Sequence, residues 1–285
     1  MAAARSKGIG AGAVVTVLLV LGVLALIGRT HEVPTAPQVG SGCLVRGAGF
    51  DVPLSPSQAE IAATIAGVAS DRALPVRAVT IAYATALQES DLENLPYGDR
   101  DSVGVFQQRP SQGWGTRAEL LNPVYATTKF FAALAAIPGY QRLPIYRAAQ
   151  DVQRSADGYA YSQYSTQGAT MAAGFAGWSG RSIWCWYGTG IKGRGKLAAA
   201  DQGMKTAFGP LRTGHFGDPI MTVKAASHAI GWSIAVWLVT HASSYGISTV
   251  RFDGYQWTAT QGQRGWLKDR PSRHWPSSHL TVAFG

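Results

Sequence analysis

The hydrophobic pattern changes character several times along the chain. Residues 8–28, GIGAGAVVTVLLVLGVLALIG, run 21 positions without a charge. As a helix this stretch rises about 31 Å, enough to cross a bilayer core of about 30 Å. It predicts an N-terminal transmembrane helix behind a short stub, residues 1–7. Arg5 and Lys7 would hold that stub on the cytoplasmic side and place the rest outside. A cleaved signal peptide shares the basic start, but its apolar region spans only about 7–15 residues, so the pattern favours an uncleaved signal anchor. Residues 29–54 hold three prolines and several glycines without periodicity and predict a linker.

Helical periodicity begins at Ser55. Ser55, Pro56 and Gln58 form an S-P-x-Q start ahead of Ile61, Ile65 and Val68, which share one face. A second helix is predicted from about Pro75, with Val76, Val79, Tyr83 and Leu87 inward and Glu89 on or just after its last turn. A third opens at Asn122-Pro123 and stops at Pro138-Gly139. A fourth covers about Tyr146 to Arg154, and a fifth Tyr159 to Phe175. Residues 55–178 therefore predict a mostly α domain.

The glycine-rich stretch 179–200 follows as a basic connection. PIMTVKA, then residues 227–244, then STVRFDGYQW and HLTVAFG predict strand, helix, strand and strand, a small α+β domain over 201–285. The apolar helix at 227–244 contains two histidines and several hydroxyl groups, which predicts a buried helix rather than a second span.

Charge divides the chain in the same place. Residues 31–178 carry 10 basic and 12 acidic side chains, and residues 179–285 carry 12 and 4. Seven of the nine tryptophans lie beyond position 180. Cations mixed with aromatic rings suit an anionic wall polymer or a surface protein as partner of 201–285. The inferred compartment argues against nucleic acid, which would share the signature. The plainer reading makes those tryptophans core. Cys43 and Cys185 are the two cysteines, and an even pair in an exported chain predicts one disulfide. No metal-ligand spacing occurs, and no cofactor is expected.

The candidate chemistry lies in residues 86–113, ALQESDLENLPYGDRDSVGVFQQRPSQG. Glu89-Ser90 ends a helix, and Gly104-Val105-Phe106-Gln107 follows at a fixed distance, with Pro110 in register. This spacing resembles the lysozyme-like superfamily of soluble lytic transglycosylases and goose-type lysozymes, in which E-S precedes a G-L-M-Q-x-x-P segment. Gly98-Asp99-Arg100 resembles the loop of the goose-type enzymes. The resemblance covers about residues 55–178. Two segments depart from it: Ala126 and Phe130 replace a family Asn and Gly, and Gln150-Asp151-Val152-Gln153 stands where the family has Y-N-A-G, removing a tyrosine from the sugar cleft.

The resemblance implies cleavage of the β-1,4 bond between N-acetylmuramic acid and N-acetylglucosamine in peptidoglycan glycan strands. That reaction needs a proton for the leaving oxygen, a task for a carboxyl group partly desolvated at a helix end, and Glu89 fits it. Ser90, Gln107 and Gln108 are candidate substrate contacts, joined by Gly104, which lets backbone approach a ligand or serves only the turn. Tyr97, Asp99 and Asp101 complete the set. A second carboxylate would come from Asp91, Glu93, Asp99 or Asp101. Without one, the sugar's own groups complete the reaction and the product is a transglycosylase's anhydro sugar. With one, the protein is a lysozyme-type hydrolase. A third reading is a catalytically silent glycan-binding or secretion-accessory protein. The sequence as a whole predicts a single-pass protein of the cell membrane, anchored through 8–28, with its C-terminus outside.

Overall fold

The structure is a computed structural model that describes residues 40–155, 159–188, 190–191, 195–215, 219–269, 276 and 278–285. Two short strands come first, β1 (Gly42–Arg46) and β2 (Asp51–Leu54), followed by helices α1 (Pro56–Asp71) and α2 (Val76–Ser90). The helical series continues with a single turn, α3 (Arg117–Leu120), then α4 (Pro123–Ala135), α5 (Ile145–Gln153) and α6 (Ser165–Phe175). A 3-10 segment, Tyr159–Tyr164, leads into α6.

Next come β3 (Ile183–Trp186), α7 (Leu197–Phe208), β4 (Arg212–His215) and β5 (Ile220–Lys224). The chain ends with α8 (His228–Thr240), the short α9 (Ala242–Tyr245), the hairpin β6 (Ile247–Phe252) and β7 (Tyr255–Thr258), β8 (Leu267–Lys268) and β9 (His279–Phe284).

Local capping explains where the helices start. Ser55 Oγ accepts from Gln58 N while the Gln58 side chain accepts from Ser55 N, a reciprocal box that satisfies two otherwise orphaned donors. Asn122 Oδ1 accepts from Val124 N and Tyr125 N, and Pro123 takes the first helical position. The predicted inward residues Ile61, Ile65, Val68, Val79, Tyr83 and Leu87 are all buried. Helix α1 goes further than one face, because every residue from Ile61 to Ala69 is buried. It packs against α4, α7 and α8, and its many alanines permit that close approach on several sides. At Gly67 an added Cβ would meet Ala207 Cβ at 3.0 Å.

The expected fold class is corrected in two respects. The segment 8–28, assigned to a transmembrane helix, lies outside the described residues. Among the described residues no helix is long and apolar enough to cross a membrane. The longest of these, α1, has 16 residues, about 24 Å against a core of about 30 Å. The single-pass membrane localisation inferred from the sequence is therefore not retained. The second correction concerns β structure. Part of the expected linker is strand, as is part of the expected connection, and β1, β2 and β3 form an antiparallel sheet in the order β2-β1-β3. A second antiparallel sheet has the order β4-β5-β9-β6-β7-β8.

The disulfide is present. Cys43 lies opposite Cys185 in the β1–β3 register and is bonded to it, with Cα atoms 4.0 Å apart. Closing a loop of 142 residues stabilises the fold by about 5 kcal/mol in the loop-entropy account.

The tryptophans explain how the two sheets join. Trp257 Nε1 donates to Cys185 O at 2.9 Å, and Trp266 Nε1 donates to Ile183 O at 2.7 Å. These indoles satisfy carbonyls on the side of β3 away from β1, an edge that would otherwise be open. Trp184, Trp186, Trp232 and Trp237 are buried as well. The plainer reading of these rings, as core, is the observed one. Helix α8 is also internal, buried from Gly231 to Thr240 between α1 and the larger sheet. Gly177 makes the junction possible: at φ +78 its absent Cβ would lie 1.9 Å from Ala229 O, while Ser233 Oγ donates to Phe175 O at 2.7 Å. Gly40–Gly285 thus cluster as one unit.

Candidate active site

Helix α2 delivers Glu89 to a sharp stop. Asp91 caps the helix in the left-handed region at φ 52, and Leu92 follows at φ 61 with its side chain fully buried. Ser90 is buried, and its Oγ donates to Ala86 O at 3.1 Å and to Val105 O at 2.7 Å. The serine beside the glutamate therefore fastens the helix end to the Gly104–Gln107 turn.

That turn is built from the inside. Val105 and Phe106 are completely buried, and Phe106 stacks on Phe130 with ring centroids 4.4 Å apart. Gly104 has φ +80, donates to Leu95 O at 2.7 Å, and would place a Cβ 2.4 Å from Leu120 O, so only glycine fits. Phe130, at a position where the resembled family has glycine, fills the space beneath the turn with a stacked ring.

Gln107 also adopts a left-handed conformation, φ 47. Its Nε2 donates to Gly104 O at 3.1 Å and Tyr97 O at 3.3 Å, and its Oε1 accepts from Ser102 Oγ at 3.0 Å. Gln108 is buried and donates to Ala126 O at 3.3 Å. Gln153 Nε2 donates to Phe106 O at 2.8 Å. Three polar side chains that the sequence offers as ligand contacts, Ser90, Gln107 and Gln108, are thus committed to holding backbone, and so is Gln153.

The acidic residues separate clearly. Asp101 accepts from Arg109 Nε at 2.8 Å, Ser111 N at 2.7 Å and Ser111 Oγ at 3.0 Å. The Arg109 guanidinium first, and then the Ser111 amide, hold its carboxyl well below the usual carboxylate range. Asp99 is exposed and loosely paired with Arg100 at 3.8 Å. Asp91 Oδ2 accepts from Gln58 Nε2 at 3.2 Å, and Glu93 accepts from Ser57 Oγ at 3.3 Å, so both belong to the α1–α2 junction. Tyr97 is 67% exposed.

Glu89 is half-buried. Its Oε1 accepts a hydrogen bond from the Tyr161 hydroxyl at 2.7 Å. Tyr161 is itself buried, on the 3-10 segment that packs against α2 and α5. Beside it Gln163 Nε2 donates to Gln88 Oε1 at 3.1 Å, and Tyr159 stacks on Tyr146 at 4.8 Å. Tyr161 is the functional candidate that sequence reasoning misses. The resemblance places the cleft tyrosine in the Y-N-A-G segment, which this chain lacks, and the phenol comes instead from a later turn. The sequence Y-A-Y-S-Q-Y gives three equivalent tyrosines and no local signal for which one faces α2.

Among the described residues no group of His, Cys, Asp and Glu could hold a metal ion. No protein-family model matches the chain, and no curated protein matches it.

Proposed function

We propose that the protein cleaves peptidoglycan glycan strands at the β-1,4 bond between N-acetylmuramic acid and N-acetylglucosamine, with Glu89 as the catalytic acid and base. The observation that carries this reading is the contrast at Glu89: a half-buried carboxyl group at a helix end, partnered by a neutral phenol and, among the described residues, by no cation.

The Tyr161 hydroxyl occupies Oε1, which leaves Oε2 as the atom that holds the mobile proton. In the first step Oε2 gives this proton to the glycosidic oxygen as the bond to the muramic acid C1 breaks. In the second, the resulting carboxylate takes a proton from the same sugar's C6 hydroxyl, and O6 bonds to C1. The ring closes as a 1,6-anhydro sugar, the proton returns to Glu89, and no water is consumed.

Transglycosylation is favoured over hydrolysis because the usual hydrolase employs a second carboxylate. Asp101 is spent on Arg109 and Ser111, and Asp99 is a solvated loop residue. In this reading Gly104, Ser90, Gln107 and Gln108 shape the turn beneath the sugar, and the exposed Tyr97 and Asp99 are the contacts available to glycan. Mass spectrometry of peptidoglycan digested by the protein tests the proposal. The expected product is one water lighter than the reducing sugar, and Glu89→Gln should abolish its formation. A reducing product would assign a hydrolase. Release by Glu89→Gln at the wild-type rate would leave glycan binding without cleavage at this site.

A further inference from the structure

A depression of about 500 Å³ lies over one face of the three-stranded sheet, away from every residue assigned to the Glu89 site. Antiparallel register sets Leu44 opposite Trp184, so alternation brings Arg46 and Ser182 onto the same face as that indole. Arg181, Arg264 and Trp266 complete the walls. Three guanidinium groups thus border one concavity, and among the described residues no acidic side chain lines it. Asp51 lies 3.9 Å from Arg46, with both side chains well exposed.

Two of the arginines are oriented by aromatic rings. Arg46 Cζ lies 4.8 Å from the centre of the Trp184 ring, and Arg181 Cζ lies 4.2 Å from that of Tyr255. A guanidinium held over a ring keeps N–H groups available and loses less freedom when an oxyanion arrives. Trp184 also lines the depression and is 6% exposed. Three guanidinium groups around a concavity that, among the described residues, no acidic side chain lines, two of them held over aromatic rings, match a ligand that is negatively charged and rich in acceptors. The volume falls within the range of small-molecule sites, about 300–1,000 Å³, and the indole walls offer a flat apolar surface for a carbon skeleton.

We propose that this depression binds an oxyanion carried on a small organic body, a phosphate ester or a carboxylated sugar. The proposal does not rest on the Glu89 reading. It is tested on the intact protein with ¹⁵N-labelled tryptophan, following the Trp184 indole resonance, assigned through Trp184→Phe, at constant ionic strength. The probes are inorganic phosphate, glycerol 3-phosphate and N-acetylmuramic acid, with neutral N-acetylglucosamine as control.

The anionic probes should move the Trp184 signal saturably, and the neutral sugar should not. Arg181 and Arg264 are exposed, so the double variant Arg181→Gln/Arg264→Gln should stay folded and bind the anions about tenfold more weakly or worse. Tighter binding of glycerol 3-phosphate assigns the site to phosphate, and tighter binding of N-acetylmuramic acid assigns it to carboxylate. Absence of a saturable shift with every anion, equal affinity in the double variant, or an equal response to N-acetylglucosamine overturns the proposal.

Discussion

Glu89 and Asp101 belong to the same system of turns, yet their surroundings give them opposite capacities. Asp101 has both oxygens engaged, with a guanidinium and a serine hydroxyl on Oδ1 and a backbone amide on Oδ2. It works as a staple between the loop after α2 and the Pro110–Gln112 turn. Glu89 receives one hydroxyl on one oxygen, and among the described residues its other oxygen has no hydrogen-bond partner. The proposed proton transfer to a sugar oxygen calls for a carboxyl group that is not already tied into a charged network, and of the two Glu89 has that arrangement. The comparison shows that acidity in a loop is not a catalytic signal by itself; the partners decide.

The most direct way to break the comparison is to exchange the two effects. Glu89→Gln should keep the fold and lower glycan cleavage by about 10²–10⁴-fold, the usual contribution of a positioned general acid. Asp101→Asn should leave most of the activity. Release of anhydro product from insoluble peptidoglycan measures both, and the reverse outcome would move the catalytic role to Asp101.

Tyr161→Phe sharpens the same contrast from the other partner. It deletes the phenol's donation to Oε1 while keeping the buried ring. A hydrogen bond to a charged group is worth about 1.5–3 kcal/mol, so kcat should fall by about 10- to 150-fold with KM nearly unchanged. An unaltered kcat would make Tyr161 a packing residue. Ser90→Ala comes next in size, because its hydroxyl ties the Glu89 helix end to Val105 O without touching Glu89. It should cost about 1 kcal/mol of unfolding free energy and lower activity a few-fold through displacement of the turn.

How much of this was legible in sequence follows from how local each signal is. The starts of α1 and α4 were legible because Ser55 with Gln58, and Asn122 with Pro123, carry their caps within four residues. Glu89 at the last turn of α2 was legible for the same reason. The three-stranded sheet was not, since its strands have four or five residues and the partner of Cys43 lies 142 positions away. The disulfide could be inferred from cysteine count, but the strands around it could not.

Tyr161 was hidden by distance, 72 residues from Glu89. Ser90, Gln107 and Gln108 look identical in sequence whether their polar atoms face a sugar or a backbone carbonyl, and only packing resolves it. The tryptophan-rich basic half was legible as a composition but not as an arrangement. Two of its indoles cap the β3 edge, while its exposed cations Arg181 and Arg264 gather over the small sheet beside Arg46 from the first half.

The smallest expected effect on activity comes from Asp101→Asn, and its pH dependence separates a staple from an acid. Asp101 is held well below its ordinary pKa of 3.8 by Arg109 and Ser111. The unfolded chain therefore binds this proton at higher pH than the folded one does. Asp101 contributes its stabilisation in full above the unfolded value and loses it as pH falls below about 4 toward the depressed folded value. Wild type should unfold at a higher temperature than Asp101→Asn at pH 7, and the gap should close steadily as the melts are repeated down to about pH 2. Activity near neutrality should change little in the same variant. A gap independent of pH would mean that Asp101 stabilises through shape rather than charge. A gap that widens in acid would reverse the assigned sign and remove the staple half of the comparison.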